Sequence, residues 1–76
     1  PMDVIDQVIV IYAATKGLFD SVPTAKIGEA EKELLEHMHS QHSSLVESIR
    51  NDKAVSDENG KTLTETVNKF LASRNF

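Results

Sequence analysis

The segment Val4-Ile5-Asp6-Gln7-Val8-Ile9-Val10-Ile11-Tyr12-Ala13-Ala14-Thr15 constrains this protein more than any other, because it pulls in two directions. Val8 through Tyr12 is mostly β-branched or aromatic, a composition that suits a buried strand. The flanks ask for a helix. Pro1 presets a helix-compatible φ, and Asp3 offers an acceptor for orphan amides at the positive end of the dipole. Gly17 stands where a left-handed residue ends a helix, with Lys16 before it at the negative end. The sequence holds no second strand-like run with which the segment could pair. It therefore reads as a helix over 3–16.

The remaining residues keep helical spacing. Leu18 to Pro23 reads as a connection: Asp20 and Ser21 favour turns, and Pro23 biases Val22 away from the helical region. A second helix is expected over 24–50, with Ile27, Ala30, Leu34, Met38, Leu45, Val46 and Ile49 inward and Glu29, Glu31, Lys32, Glu33 and Glu36 solvated. The patch His39-Ser40-Gln41-His42-Ser43-Ser44 is weak in helix propensity, so a break is expected near 40–43. Asn51 to Val55 connects to a last helix over 57–73, capped by Ser56 with Asp57 and Glu58 in its first turn. That helix carries Leu63, Val67, Phe70 and Leu71 on one face. Gly60 costs it about 1 kcal/mol relative to alanine, so its first turn is expected to fray. The fold class is all-α: a small bundle of three to four helices, with residues 1–76 forming a single helical domain.

At 76 residues such a protein buries only about 60% of its unfolded surface, close to the lower limit for an independent core. The formal charge of -4 argues against a nucleic-acid or anionic-membrane surface, either of which needs a basic stripe. Cysteine is absent, which removes disulfides and thiol chemistry. The longest apolar run, Val8 to Ala14, falls far short of the ~20 residues that cross a bilayer. No signal-peptide pattern opens the sequence. Any link to a membrane is thus expected to run through other proteins.

The chemistry-bearing residues are few. Gly17, Gly28 and Gly60 are scattered, and none belongs to a G-x-x-x-x-G-K-[ST] phosphate cradle. His37, His39 and His42 invite a metal reading. On a continuous helix, however, 37 and 39 face apart and only 39 and 42 lie near each other, while zinc asks for three or four converging ligands. Solvent-facing or interfacial histidines are the expectation. The acidic run around Glu29 to Glu36 reads as a solvated face with an ion pair of Lys32 to Glu29 or Glu36. No serine or threonine sits beside a His–acid pair that would activate it. The residues thus point to no catalytic, cofactor-binding or metal-binding site.

A resemblance joins these pieces. The opening PMxxxxQVxxIYA, followed by Gly17-Leu18-Phe19-Asp20, is similar to the C-terminal domain of the alpha subunit of the F-type, proton-translocating ATP synthase. Val22-Pro23-Thr24-Ala25-Lys26-Ile27-Gly28-Glu29-Ala30-Glu31-Lys32-Glu33-Leu34-Leu35 resembles the family's VPxxKIGEFEKxxL stretch, with Ala30 where Phe is usual, which thins one core contact. Gln41-His42-Ser43-Ser44-Leu45 with Glu47-Ser48-Ile49-Arg50 looks like its QHxxLLxxIR segment, and Val67-Asn68-Lys69-Phe70-Leu71 like its terminal helix.

The resemblance implies a structural part of the catalytic head, packed beside beta subunits around the rotating central stalk of a complex that makes ATP from a proton gradient. It implies a peripheral position on an energy-transducing membrane: the bacterial cytoplasmic face, or the mitochondrial or chloroplast equivalent. ATP and Mg binding belong upstream of this region, with no cofactor in these 76 residues. The sequence matches the later part of that domain and is expected to be a piece of a longer protein. In that case an apolar face built for missing helices is left wet. Val4, Ile5, Val8, Ile9, Val10, Ile11 and Tyr12 are too many for one side of a bundle, so self-association through the first helix is expected, with Val10 as the position to charge. The alternative is a free-standing helical interaction module that uses Val4, Val8 and Ile11 or the terminal helix.

Overall fold

The computed structural model describes residues 2–76; the expectation for Pro1 lies outside them. Four α-helices follow one another: α1 (Val4–Thr15), α2 (Ile27–Gln41), α3 (Ser43–Asp52) and α4 (Asp57–Ser73), with a 3-10 turn at Thr24–Lys26 leading into α2. No strand occurs among the described residues. The bundle is all-α, and the helical reading of Val8 to Tyr12 holds.

Local signals explain where α1 begins and ends. The Asp3 carboxylate accepts from the Ile5 amide at 2.8 Å. At the other end Gly17, with φ of 72°, donates to the Ala14 carbonyl at 3.1 Å, and Leu18 donates to Ala13 at 2.9 Å. This crossed pair satisfies two carbonyls that the helix would leave orphaned, and it needs a left-handed residue at the crossing. The next connection does more than turn the backbone. Phe19 and Val22 are buried and close the core at the open end of α1 and α2, where turn signals alone suggest only a link.

The break falls at His42, inside the expected window, with φ of -135° and ψ of 40°. α3 then runs two residues beyond 50, and the left-handed Lys53, with φ of 57°, ends it. Ser56 caps α4 by accepting from the Asn59 amide at 3.1 Å. The first turn of α4 is regular where fraying is expected: Gly60 is buried, and its amide donates to the Ser56 carbonyl at 2.7 Å. Gly60 is there because Tyr12 comes so close. A Cβ at position 60 would stand 2.4 Å from the tyrosine hydroxyl oxygen.

The core draws one stripe from each helix: Ile5, Ile9 and Ala13; Ala30, Leu34, Leu35 and Met38; Val46 and Ile49; Leu63, Val67 and Phe70. These recur at helical spacing, as one buried face requires. Ala30 is fully covered, so its small side chain seats α2 close to its neighbours. α1 lies against α3, while α2 packs on both α3 and α4. Every buried side-chain polar atom among the described residues has a hydrogen-bond partner. Buried Thr66, for example, donates to the Thr62 carbonyl at 2.8 Å.

Candidate functional site

α1 carries apolar side chains on more than its core face. Ile5, Ile9 and Ala13 are buried, yet Val4 is 69% exposed and Ile11 61% exposed. Val4, Val8 and Ile11 follow one another at steps of four and three, a continuous stripe beside the core-facing one. Val8, Ile11, Tyr12 and Thr15 line a shallow, largely apolar depression with Val55 from the loop before α4. Val10 is the expected reporter of a wet face, but it is half-buried and packs against the core. Ile11 and Val4 are the solvent-facing members. Periodicity alone counts seven apolar residues as one wide face; the helix in fact divides them between two.

Charged clasps hold α1 in place from its rim. Asp3 accepts from the Arg50 guanidinium at 3.2 Å, and Arg50 also reaches Glu47 at 3.4 Å. The Ile5 amide and the Arg50 guanidinium hold the Asp3 carboxyl below the ordinary carboxylate value, and the same carboxylate raises the pKa of Arg50. Farther along α1, Asp6 Oδ1 lies 2.6 Å from His39 Nε2 on α2. At the far end of the bundle, Arg74 pairs with Glu33 of α2. The ion pair expected for Lys32 does not form; Lys26 pairs with Glu29 instead, at 3.8 Å.

The three histidines are not arranged as the sequence suggests. Because α2 stops at Gln41, His42 turns back and its Nε2 lies 3.2 Å from His37 Nε2, while His39 leaves toward Asp6. The ring contact is thus between 37 and 42, where the sequence suggests 39 and 42. The signal for this is the same weak patch that predicts the break: a break changes the angular sum on which the facing argument rests. Burial, then the His42 charge, lowers the pKa of His37. Among the described residues no group of three or more His, Cys, Asp or Glu converges in a way that could hold a metal ion. No helix there is long and apolar enough to cross a membrane.

Chemically, this arrangement offers a partly apolar surface beside a set of open clefts. The cleft beside His37 and His42 holds about 470 Å³ and is walled by Thr62, Glu65, Lys69 and Ser73. Comparison with known proteins gives this surface a context. Residues 1–70 match the family described as ATP synthase alpha/beta chain, C terminal domain. The protein is 44% identical over 70 residues to ATP synthase subunit alpha of Mycobacterium sp. (strain KMS), covering 92% of its own length and 13% of that relative. It is 43% identical over 70 residues to the same subunit of Rhodococcus opacus (strain B4), with the same coverage. To that of Petrotoga mobilis it is 38% identical over 71 residues, covering 93% of its own length and 14% of the relative. It thus spans about 13% of the length of the curated relatives first matched. With a family match over nearly all of its residues and alpha-subunit relatives at this identity, the protein belongs to the family of ATP synthase alpha and beta C-terminal domains, as a relative of the alpha subunit.

Proposed function

We propose that this protein is the C-terminal helical portion of an ATP synthase alpha subunit, and that its work there is structural. In this reading it forms one helical unit, the later part of a larger C-terminal domain, in the catalytic head. It packs beside beta subunits around the central stalk of a complex that couples a proton gradient to ATP synthesis. The helical unit itself catalyses nothing and holds no cofactor; nucleotide and Mg are bound upstream in the parent subunit. The complex sits peripherally on an energy-transducing membrane, reached through other proteins.

The observation that carries this reading is the second apolar stripe of α1. A helix that buries Ile5, Ile9 and Ala13 on one face while leaving Val4 and Ile11 wet on the next is built to be covered from two sides. Fully covering each such side chain is worth roughly 1.5–3 kcal/mol, enough for the stripe to matter to assembly. The same stripe would serve a free-standing interaction module. Sequencing the genomic DNA 5′ of the Pro1 codon separates the two. An in-frame phosphate-binding loop upstream supports the alpha-subunit reading, whereas a start codon directly before the Pro1 codon overturns it.

A further inference from the structure

The corner between α2 and α3 carries a pair of imidazoles that the proposed structural role does not use. Its backbone is bonded on both sides: the His42 amide donates to the Met38 carbonyl at 2.9 Å, and the His42 carbonyl accepts from the Val46 amide at 3.1 Å. The side chain adds a third tie by folding back onto α2. The rings of His37 and His42 meet edge to face with centres 4.9 Å apart, and their Nε2 atoms are 3.2 Å apart. On its other side His37 lies against Phe70 of α4, with ring centres 4.8 Å apart and planes tilted by 30°. His42, His37 and Phe70 thus form a continuous stack that joins the corner to the last helix.

A hydrogen bond between two ring nitrogens needs one N–H and one bare lone pair, so at least one imidazole must be neutral. With both rings protonated, two donors and two positive charges would face each other across 3.2 Å. We propose that the His37–His42–Phe70 stack is a proton-operated corner: the neutral pair fastens the α2–α3 junction to α4, and protonation of both rings releases His42 and loosens that junction.

The surrounding charges bear on this balance. From α2, Glu33 and Glu36 line the cleft on one side of His37, together with Arg74 beyond α4. From α4, Glu65 and Lys69 line the cleft on the other side. The carboxylates favour protonation and the cations oppose it, and Glu33 is already engaged by Arg74. Burial against Phe70 tips His37 toward the neutral form. Because the folded state binds this proton less readily than the unfolded one, stability is complete above the ordinary histidine value of 6.5. It is lost as pH falls through the lower folded value.

The test is a histidine ring titration by NMR on the 76-residue protein, from about pH 8 to about pH 5, with backbone amide shifts followed in parallel. His37 is expected to titrate below the ordinary histidine range, and the amides of residues 40–46 to move with it. In His42→Gln the His37 midpoint rises toward the ordinary range and the linked amide movement is lost. His37→Phe, which keeps a ring against Phe70 but cannot ionise, removes the linked movement altogether. The proposal is overturned if His37 titrates at the ordinary value, if the corner amides ignore its titration, or if His42→Gln leaves its midpoint in place. Should either variant fail to fold, the wild-type titration with its amide shifts still decides.

Discussion

Gly60→Ala sets two well-known effects against each other in α4. On helix propensity alone, alanine in a helix interior gains about 1 kcal/mol over glycine. At this position the added Cβ would lie 2.4 Å from the Tyr12 hydroxyl oxygen, 3.1 Å from Tyr12 Cζ and 3.4 Å from Val55 Cγ1. The first distance is far inside van der Waals contact, so the tyrosine must swing away or α1 must shift. The ring is not free to do either without loss: it is half-buried, packs against the core, and lies 5.6 Å beneath the Lys16 ammonium. Overpacking of this kind costs about 1–3 kcal/mol, so after the propensity gain the net expectation is destabilisation of up to about 2 kcal/mol. In a domain this small each kcal/mol moves the melting temperature by about 4–8 °C, so thermal unfolding followed by far-ultraviolet circular dichroism resolves it. Gly28 is the internal control. It is exposed in α2 with nothing within 4 Å of a Cβ, so Gly28→Ala is expected to stabilise by about 0.4–1 kcal/mol. Pairing Gly60→Ala with Tyr12→Phe removes the closest atom and should recover part of the loss, as a double-mutant cycle would show. The reasoning fails if Gly60→Ala stabilises as Gly28→Ala does, or if the two substitutions act independently.

Three further outcomes are expected from the geometry. Ile11→Glu places a charge on the exposed stripe and should leave stability within about 0.5 kcal/mol of the wild type, while abolishing any concentration-dependent sedimentation of the wild-type protein; a large loss of stability would show that Ile11 belongs to the core. Ser56→Ala removes the acceptor for the Asn59 amide and should cost about 1 kcal/mol in chemical denaturation; no change would mean that water replaces the cap at no cost. Asp3 is held below its ordinary value of 3.8 by the Ile5 amide and Arg50, so its contribution is present above that value and lost as pH falls through the lower folded one. Acid unfolding should therefore lose its lowest-pH component in Asp3→Asn, and an unchanged acid profile would refute the assignment.

The elements of the fold are legible in the residues because their ends are marked locally. Asp3, Gly17 and Ser56 each occupy the cap that their side chain or backbone freedom suits. The weak patch at 39–44 does contain the break, at His42. What stays hidden depends on tertiary proximity. The burial of Phe19 and Val22 in a connection, and the need for glycine at 60, come from what lies opposite in space. The histidine pairing is misread from sequence because helical angles are carried across a residue that is not helical. Val10 is misassigned for a related reason. Apolar periodicity finds that α1 has excess hydrophobic surface, but it cannot tell which half a neighbouring helix covers. The stripe itself, with Val4, Val8 and Ile11, is visible from spacing alone.

The most direct test of the central claim is a chimera. The 70-residue segment of the Mycobacterium sp. (strain KMS) alpha subunit that matches this protein is replaced by the corresponding residues of this sequence, and recovery of assembled complexes with beta subunits is measured by native mass spectrometry. The chimera is expected to assemble, and the same chimera carrying Ile11→Glu is expected to lose assembly because its second apolar face can no longer be covered. A chimera that fails to assemble, or an Ile11→Glu chimera that assembles as well as its parent, would contradict the account.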